Sequence, residues 1–268
     1  MFKNILKLAF VAVIAFAFTA CTDSKESKVE KKTVIKVGAT PVPHSEILEI
    51  AQTLLKAKGY ELQIVEFTDY VTPNIAVDEG ELDANFFQHL PYLEEFNKNK
   101  NTKLVKTVNV HLEPMGVYSK KIEALNELKD GATIAVPNDP TNESRALNIL
   151  EEQGLLTFKD VKFKTALDID KNPRNFKIKE LDAPQLPRVL DEVDAAVINT
   201  NYALAANLNP LKDALVLESK NSPYANILVV KEGNENKDYI KALNEVLNSN
   251  EIRNFINDKY KGSIVEAF

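Results

Sequence analysis

Tryptophan is absent, cysteine occurs once, histidine three times and glycine only eight times in 268 residues. Each shortage excludes something. The single cysteine, Cys21, permits no intramolecular disulfide. The few glycines are unclustered, so there is no glycine-rich phosphate loop. Neither GxSxG nor HExxH occurs. His44, His89 and His111 are dispersed and their spacing shows no metal-ligand pattern, although three histidines from different loops leave a metal-binding receptor as an alternative. Carboxylates are plentiful, but none forms an evident acid–base pair. The formal net charge is −6, and no basic stripe is interleaved with aromatics, which argues against nucleic acid as a partner. The expectation is a protein that is not an enzyme and carries no cofactor and no metal.

Long apolar runs are also scarce. The exception is residues 8–20, LAFVAVIAFAFTA, preceded by Lys3 and Lys7. This has the length of a secretory signal and is too short to span a bilayer. It ends at Phe18-Thr19-Ala20-Cys21, a pattern that resembles a bacterial lipoprotein cleavage site. Residues 1–21 are therefore expected to be a signal ending at an acylated Cys21. The protein would then be exported and anchored by lipid to the bacterial cell membrane on its extracytoplasmic face. Residues 22–32, TDSKESKVEKK, are polar and aperiodic and suit a flexible tether.

From residue 33 the pattern is α/β. Residues 33–39 alternate as a strand, a helix follows Ser45, and residues 61–67 form the next strand, a βαβ unit. A helix over 73–79, a strand over 82–87, a helix over 91–97 and strands over 103–110 and 115–119 follow. The pattern then restarts with a helix over 120–130, a strand over 132–136 and a helix over 142–153. Strands are expected over 160–166, 176–181, 195–198, 214–218 and 225–231. Helices are expected over 183–193, 202–206, 238–248 and 251–259. Leu82-Asp83-Ala84 leading into Phe86-Phe87 is echoed by Val193-Asp194-Ala195 leading into Val197-Ile198-Asn199. Two lobes of similar build are implied, with a ligand at the carboxyl ends of their strands.

Arg145 falls in the first turns of a helix that Thr141 can cap. It suits a ligand carboxylate, or equally a surface ion pair with Glu143 or Glu152. Asn142, Asn199, Asn201 and Asn226 lie at strand or helix ends, where an amide oxygen can accept from an ammonium or simply serve a turn. Tyr70, Phe86, Phe87 and Tyr92 suit either a core or the wall of a partly apolar pocket, and aromatic rings take a thioether well.

The chain resembles the NlpA lipoprotein family along nearly its whole length. The resemblance rests on residues 66–70 (EFTDY), 82–89 (LDANFFQH) with Pro91-Tyr92, 136–142 (VPNDPTN), Arg145-Ala146-Leu147, 183–188 (APQLPR), 196–200 (AVINT) and 222–226 (SPYAN). It implies an α/β two-lobed periplasmic-binding-protein fold, type II-like, with the ligand cleft between lobes. Lobe 1 would comprise 33–117 plus 224–268, and lobe 2 would comprise 118–223. It also implies a substrate-binding lipoprotein that delivers methionine, or a related amino acid or methionine-containing dipeptide, to an ABC permease and its ATPase, acting as a monomer. On this resemblance Arg145 would pair with the ligand carboxylate. Asn226 and Asn199, helped by Asn142, would bind its backbone groups, and Tyr70, Phe86, Phe87 and His89 would enclose its side chain. Consecutive strand residues face opposite ways, so both phenylalanines can line a cleft only if the strand ends or bends at Phe87. Glu143-Ser144 stands where the family often has glycine.

Overall fold

The computed structural model describes residues 32–268. Cys21, the expected signal and all but the last residue of the expected tether lie outside them. Among the described residues no helix is long and apolar enough to cross a membrane.

The chain opens with β1 (Val34–Ala39), α1 (Glu46–Ala57) and β2 (Glu61–Glu66). Then come α2 (Thr72–Glu79), β3 (Ala84–His89), α3 (Leu90–Lys100) and β4 (Leu104–Leu112). A second group follows: β5 (Gly116–Tyr118), β6 (Thr133–Pro137), α4 (Pro140–Glu152) and the small hairpin of β7 (Thr157–Phe158) with β8 (Ile169–Lys171). It continues with β9 (Lys177–Leu181), β10 (Ala195–Ile198), α5 (Thr200–Ala205), α6 (Pro210–Asp213) and β11 (Ala214–Leu217). The chain then returns to the first group through β12 (Ala225–Lys231), α7 (Asp238–Leu247), α8 (Asn250–Tyr260) and β13 (Val265–Glu266).

Besides the β7–β8 hairpin, two larger sheets result, one to each lobe. The first runs β13-β4-β12-β3-β1-β2, and the second β11-β5-β10-β6-β9. In each, three parallel strands from strand–helix–strand units form one side, β3-β1-β2 and β10-β6-β9, and antiparallel strands continue the sheet on the other. Helices α1, α7 and α8 cover the first sheet, and Ile35, Val37, Ile47, Leu48, Leu55, Phe86 and Leu228 share its core. Leu147 and Leu150 of α4 pack on Val117, Ile134, Val136 and Val197 in the second lobe.

The Asp-Ala echo is one device used twice. The N–H of Asp83 bonds the Lys36 carbonyl (2.9 Å), and the N–H of Lys36 returns a bond to Asp83 Oδ2 (2.8 Å). In the second lobe the N–H of Asp194 bonds the Thr133 carbonyl (2.9 Å), and the N–H of Thr133 bonds Asp194 Oδ2 (2.8 Å). Each reciprocal pair ties the start of a strand to its parallel neighbour and so fixes where that strand ends at the cleft.

Several sequence expectations change. The first crossing between lobes lies at residues 113–115, because β5 pairs with β10 and β11 and so belongs to the second sheet. Pro114 has no N–H for a ladder and breaks the strand there. The helix expected over 120–130 is a single short turn at Leu125–Glu127, since Ser119 Oγ takes the N–H groups of Lys121 and Ile122. Residues 160–166 form no strand: Ser144 Oγ accepts the N–H of Lys164 and Glu143 Oε1 that of Ala166. The helix expected over 183–193 is a 3-10 run, Ala183–Val189, as Pro184 and Pro187 remove two donors.

Candidate functional site

The strands β3, β10 and β6 all end at one place. There β3 delivers Phe87, Gln88 and His89, β10 delivers Asn199, and the loop after β6 leads into the first turns of α4 with Asn142 and Arg145. The returning strand β12 begins with Ala225 and then Asn226, in register with His89 on one side and His111 on the other. These groups enclose a small cavity of about 20 Å³. That is the room of about one water, so the two walls stand nearly in contact.

One wall is aromatic. Tyr70 stacks on Phe87 with ring centroids 5.7 Å apart, and Tyr92 meets both edge-on at 5.9 and 6.0 Å. Tyr92 Oη donates to the Tyr70 carbonyl (2.9 Å), and Tyr70 Oη donates to Asn201 Oδ1 of the other lobe (2.6 Å). Beneath this wall lies a buried amide triangle. Gln88 Nε2 donates to Asn74 Oδ1 (2.6 Å) and Asn85 Oδ1 (2.8 Å), and Asn74 Nδ2 donates to Gln88 Oε1 (3.0 Å). With its bonds made internally, the triangle holds the end of β3 against α2.

The opposite wall is polar. Asp139 caps α4 by accepting the N–H of Asn142 (3.0 Å), and both its oxygens accept from Asn142 Nδ2 (3.0 and 2.9 Å). Asp139 rather than Thr141 is the cap because Pro140 starts the helix one residue early. Asn142 Oδ1 lies 3.2 Å from His89 Nε2 and accepts from Asn199 Nδ2 at 2.9 Å. His89 Nδ1 accepts the N–H of Tyr92, so Nε2 carries the ring proton and donates to Asn142. Asn142 thereby aims two neighbours, and Asn199 Oδ1 is left buried without a partner. Burial, then the nearby Arg145 charge, pushes the His89 pKa down to about 3, so the ring is neutral at physiological pH.

Arg145 is nearly fully buried. Its Nε donates to Glu218 Oε1 (2.9 Å) and its Nη2 to Glu218 Oε2 (2.5 Å) and to the Glu113 carbonyl (2.8 Å). The guanidinium also stacks over Tyr224 at 4.3 Å. The paired fork that the sequence reserved for a ligand carboxylate is thus filled by Glu218, and Nη1 takes no part in these bonds. Breaking such a buried pair from one side leaves an uncompensated charge, at about 3–5 kcal/mol.

Behind the cavity, Glu113 Oε1 accepts from His111 Nε2 (2.7 Å) and lies 3.3 Å from His44 Nε2, which is also 3.0 Å from Asn226 Oδ1. Thr40 Oγ1 meets His44 Nδ1 at 2.7 Å. Burial lowers the pKa of His44 to about 4 and of His111 to about 3, and raises that of Glu113. His44, His111 and Glu113 bring three possible metal donors within 4.8 Å of one another. His89, the third member of the dispersed histidines, is committed to Asn142 instead. The donors are engaged with each other, and His111 Nδ1 has no partner of the kind that orients a metal-bound imidazole.

The NlpA lipoprotein profile matches residues 35–268. The chain belongs to the NlpA lipoprotein family. It is 45% identical to the methionine-binding lipoprotein MetQ of Bacillus subtilis, over 99% of this chain and 97% of that one. It is 44% identical to outer membrane lipoprotein 3 of Mannheimia haemolytica, over 99% and 100%. Among solved structures, a nutrient-binding protein of Burkholderia cenocepacia bound to methionine superposes with a TM-score of 0.85. It is 48% identical and is covered completely, by 87% of this chain.

Placed on this family fold, seven of the eight expected contact residues line one cavity: Tyr70, Phe87, His89, Asn142, Arg145, Asn199 and Asn226. Phe86 does not. It is fully buried in the first lobe's core, edge-on to His44 (4.7 Å) and His111 (5.3 Å), because β3 stays extended through Phe87 and alternation sends the two rings apart. Sequence reasoning missed Glu113, Glu218, Tyr224 and a cavity role for Gln88 and Thr200. The available signal was physical: a buried arginine needs an acid, and acids at the two chain crossings were the ones able to reach it.

Proposed function

We propose that this protein is a lipid-anchored receptor, not an enzyme, that captures methionine and passes it to a membrane permease driven by an ATPase. The observation that carries this reading is the pairing of an aromatic and a polar wall around one cavity. Tyr70, Phe87 and Tyr92 supply aromatic surface, where a thioether gains roughly 0.3–1.5 kcal/mol per ring contact. Asn199, Asn226 and the open side of Arg145 supply hydrogen bonds for the amino-acid end. Asn142 and His89 aim these groups. The 48% identity to a methionine-bound structure supports the choice of ligand, and Cys21 supplies the membrane attachment.

Ligand capture would draw the lobes together, since the aromatic wall and most of the polar wall come from different lobes. Mass spectrometry of the small molecules released when the purified protein is denatured should find methionine. Recovery of a different compound, together with no heat of binding for methionine in titration, would overturn the assignment.

A further inference from the structure

A second concavity lies between the lobes, and Asn201 borders both it and the cavity described above. Thr40, Pro41 and Val42, in the turn after β1, and Thr68, after β2, supply its first-lobe wall. The second lobe supplies the other wall, from the 3-10 run Ala183–Val189 and from α5. Three residues per turn bring Pro184 and Pro187 to one side of that run, and both line the groove. Tyr202 joins the two walls, its Oη donating to the Thr68 carbonyl across the lobes (3.1 Å). Ala205 and Ala206 have short side chains and leave a groove of about 350 Å³. That volume lies within the range of small-ligand sites.

The lining is mostly apolar and carries one charge. Pro41, Pro184 and Pro187 contribute no N–H. The Thr40 hydroxyl is engaged with His44 Nδ1 (2.7 Å), and Asn201 Oδ1 accepts from Tyr70 (2.6 Å). Arg188 is the only charged residue on the groove, and no carboxylate lines it. Its side chain is exposed and makes no hydrogen bond or ion pair with any described residue. The other three arginines are all bonded: Arg145 to Glu218, Arg174 to Asp130 and Arg253 to the Phe268 carbonyl. The acids nearest Arg188 in sequence are committed elsewhere. Asp182 accepts from Asn138 (2.7 Å), Asp191 pairs with Lys120 (2.8 Å) and Glu192 with Lys179 (3.7 Å). A guanidinium with all its donors free thus stands at the edge of an apolar groove.

We infer that this groove is a second binding site, for a small monocarboxylate with an apolar tail. Arg188 takes the carboxylate through two parallel N–H bonds, the geometry a guanidinium is built for. The tail lies along Val42, Pro184, Pro187 and the Tyr202 ring, where its burial removes apolar surface from water. Charge complementarity sets the class. A neutral apolar molecule gains nothing from the guanidinium, a cation is repelled by it, and a dianion brings a second charge for which the lining has no partner. A ligand seated here touches both lobes, so it favours the arrangement in which they stand together.

Titration of the detergent-solubilised full chain with hexanoate, hexanol and hexylamine, followed by NMR of its valine and alanine methyl groups, tests this. Hexanoate should shift Val42 on one lobe and Ala205 and Ala206 on the other together, with a single dissociation constant of about 1 mM or below. Hexanol should bind about tenfold more weakly, the scale of one charge-assisted contact, and hexylamine more weakly still. Arg188→Gln alters an exposed, unbonded side chain and should bring hexanoate to the level of hexanol. Ala205→Phe fills the groove and should abolish the shifts at Val42 and Ala206. The absence of shifts, shifts confined to one lobe, equal affinity for hexanoate and hexanol, or a preference for hexanoate that survives Arg188→Gln would each overturn the site. Should Ala205→Phe fail to fold, the three ligands and Arg188→Gln still decide. No methionine enters this measurement, so the groove and the proposed function stand or fall separately.

Discussion

The two lobes share a turn and differ in the residues that come after it. Asp83 and Asp194 each make the same reciprocal pair of bonds to a neighbouring strand. After Asp83 come buried residues that end in Phe87, Gln88 and His89; after Asp194 a short aliphatic strand ends in Asn199. One lobe therefore presents rings to the cleft and the other presents amides and a guanidinium. A common scaffold fixes the position of the strand ends, and the few side chains beyond the turn decide what chemistry is offered there.

Within the first lobe the comparison is sharpest between adjacent phenylalanines. Phe86→Ala should cost about 3–5 kcal/mol of stability, as expected for emptying a core site. Phe87→Ala should cost clearly less stability, because its ring borders the cavity, while weakening methionine more than it weakens alanine. Denaturant unfolding and calorimetry of both variants give the answer, and equal stability losses with unchanged methionine affinity for Phe87→Ala would erase the distinction.

The two aspartates come next. Asp83→Ala should lose about 2 kcal/mol and Asp194→Ala about 1 kcal/mol, in the range for hydrogen bonds to charged groups. The difference follows exposure: the Asp83 side chain is 11% exposed and that of Asp194 is 38%, and water competes more for the latter. Chemical denaturation that ranked Asp194→Ala as the costlier change would show that the turns are alike in geometry only.

The last comparison separates the lobes by pH. All three histidines lie in the first lobe, buried and neutral, with pKa values of about 4 for His44 and about 3 for His89 and His111. Unfolded histidine takes up a proton near 6.5, so from about pH 6.5 down to 4 the unfolded chain binds more protons and the first lobe loses stability. Glu113, raised by burial, binds its proton more tightly when folded and offsets part of that loss. Asp194 is held below its ordinary 3.8 by the Thr133 N–H and then by Lys121, so its contribution is intact above that value and fades only below it. Hydrogen exchange at pH 5.5 against pH 7.5 should then show β3 and β4 loosening more than β6 and β10. Uniform loosening would argue against the assignment.

Much of this was legible in the chain. Alternation and helical periodicity gave the βαβ units, since each element's buried face is written locally. The Asp-Ala echo located both cleft edges. Three segments misled, each because a side chain or a proline took over the backbone's donors: Ser119 after β5, Glu143 and Ser144 at residues 164 and 166, and Pro184 with Pro187. Glu143 and Ser144 fasten the loop after β7 to the helix carrying Asn142 and Arg145.

The order of elements, the two halves and the set of residues at the strand ends were therefore written in the sequence alone. Tertiary contacts settled which of those residues face the cavity and which charges are already satisfied. Phe86 and Phe87 are equivalent to any local pattern and were separated only by the direction of β3. Arg145 looked like a free clamp until the fold brought Glu218, 73 positions away, into its fork. Ion pairing and facing are properties of contacts between distant segments. Periodicity within a segment holds no information about them, because the energy of a buried charge depends on the groups that the rest of the chain places beside it.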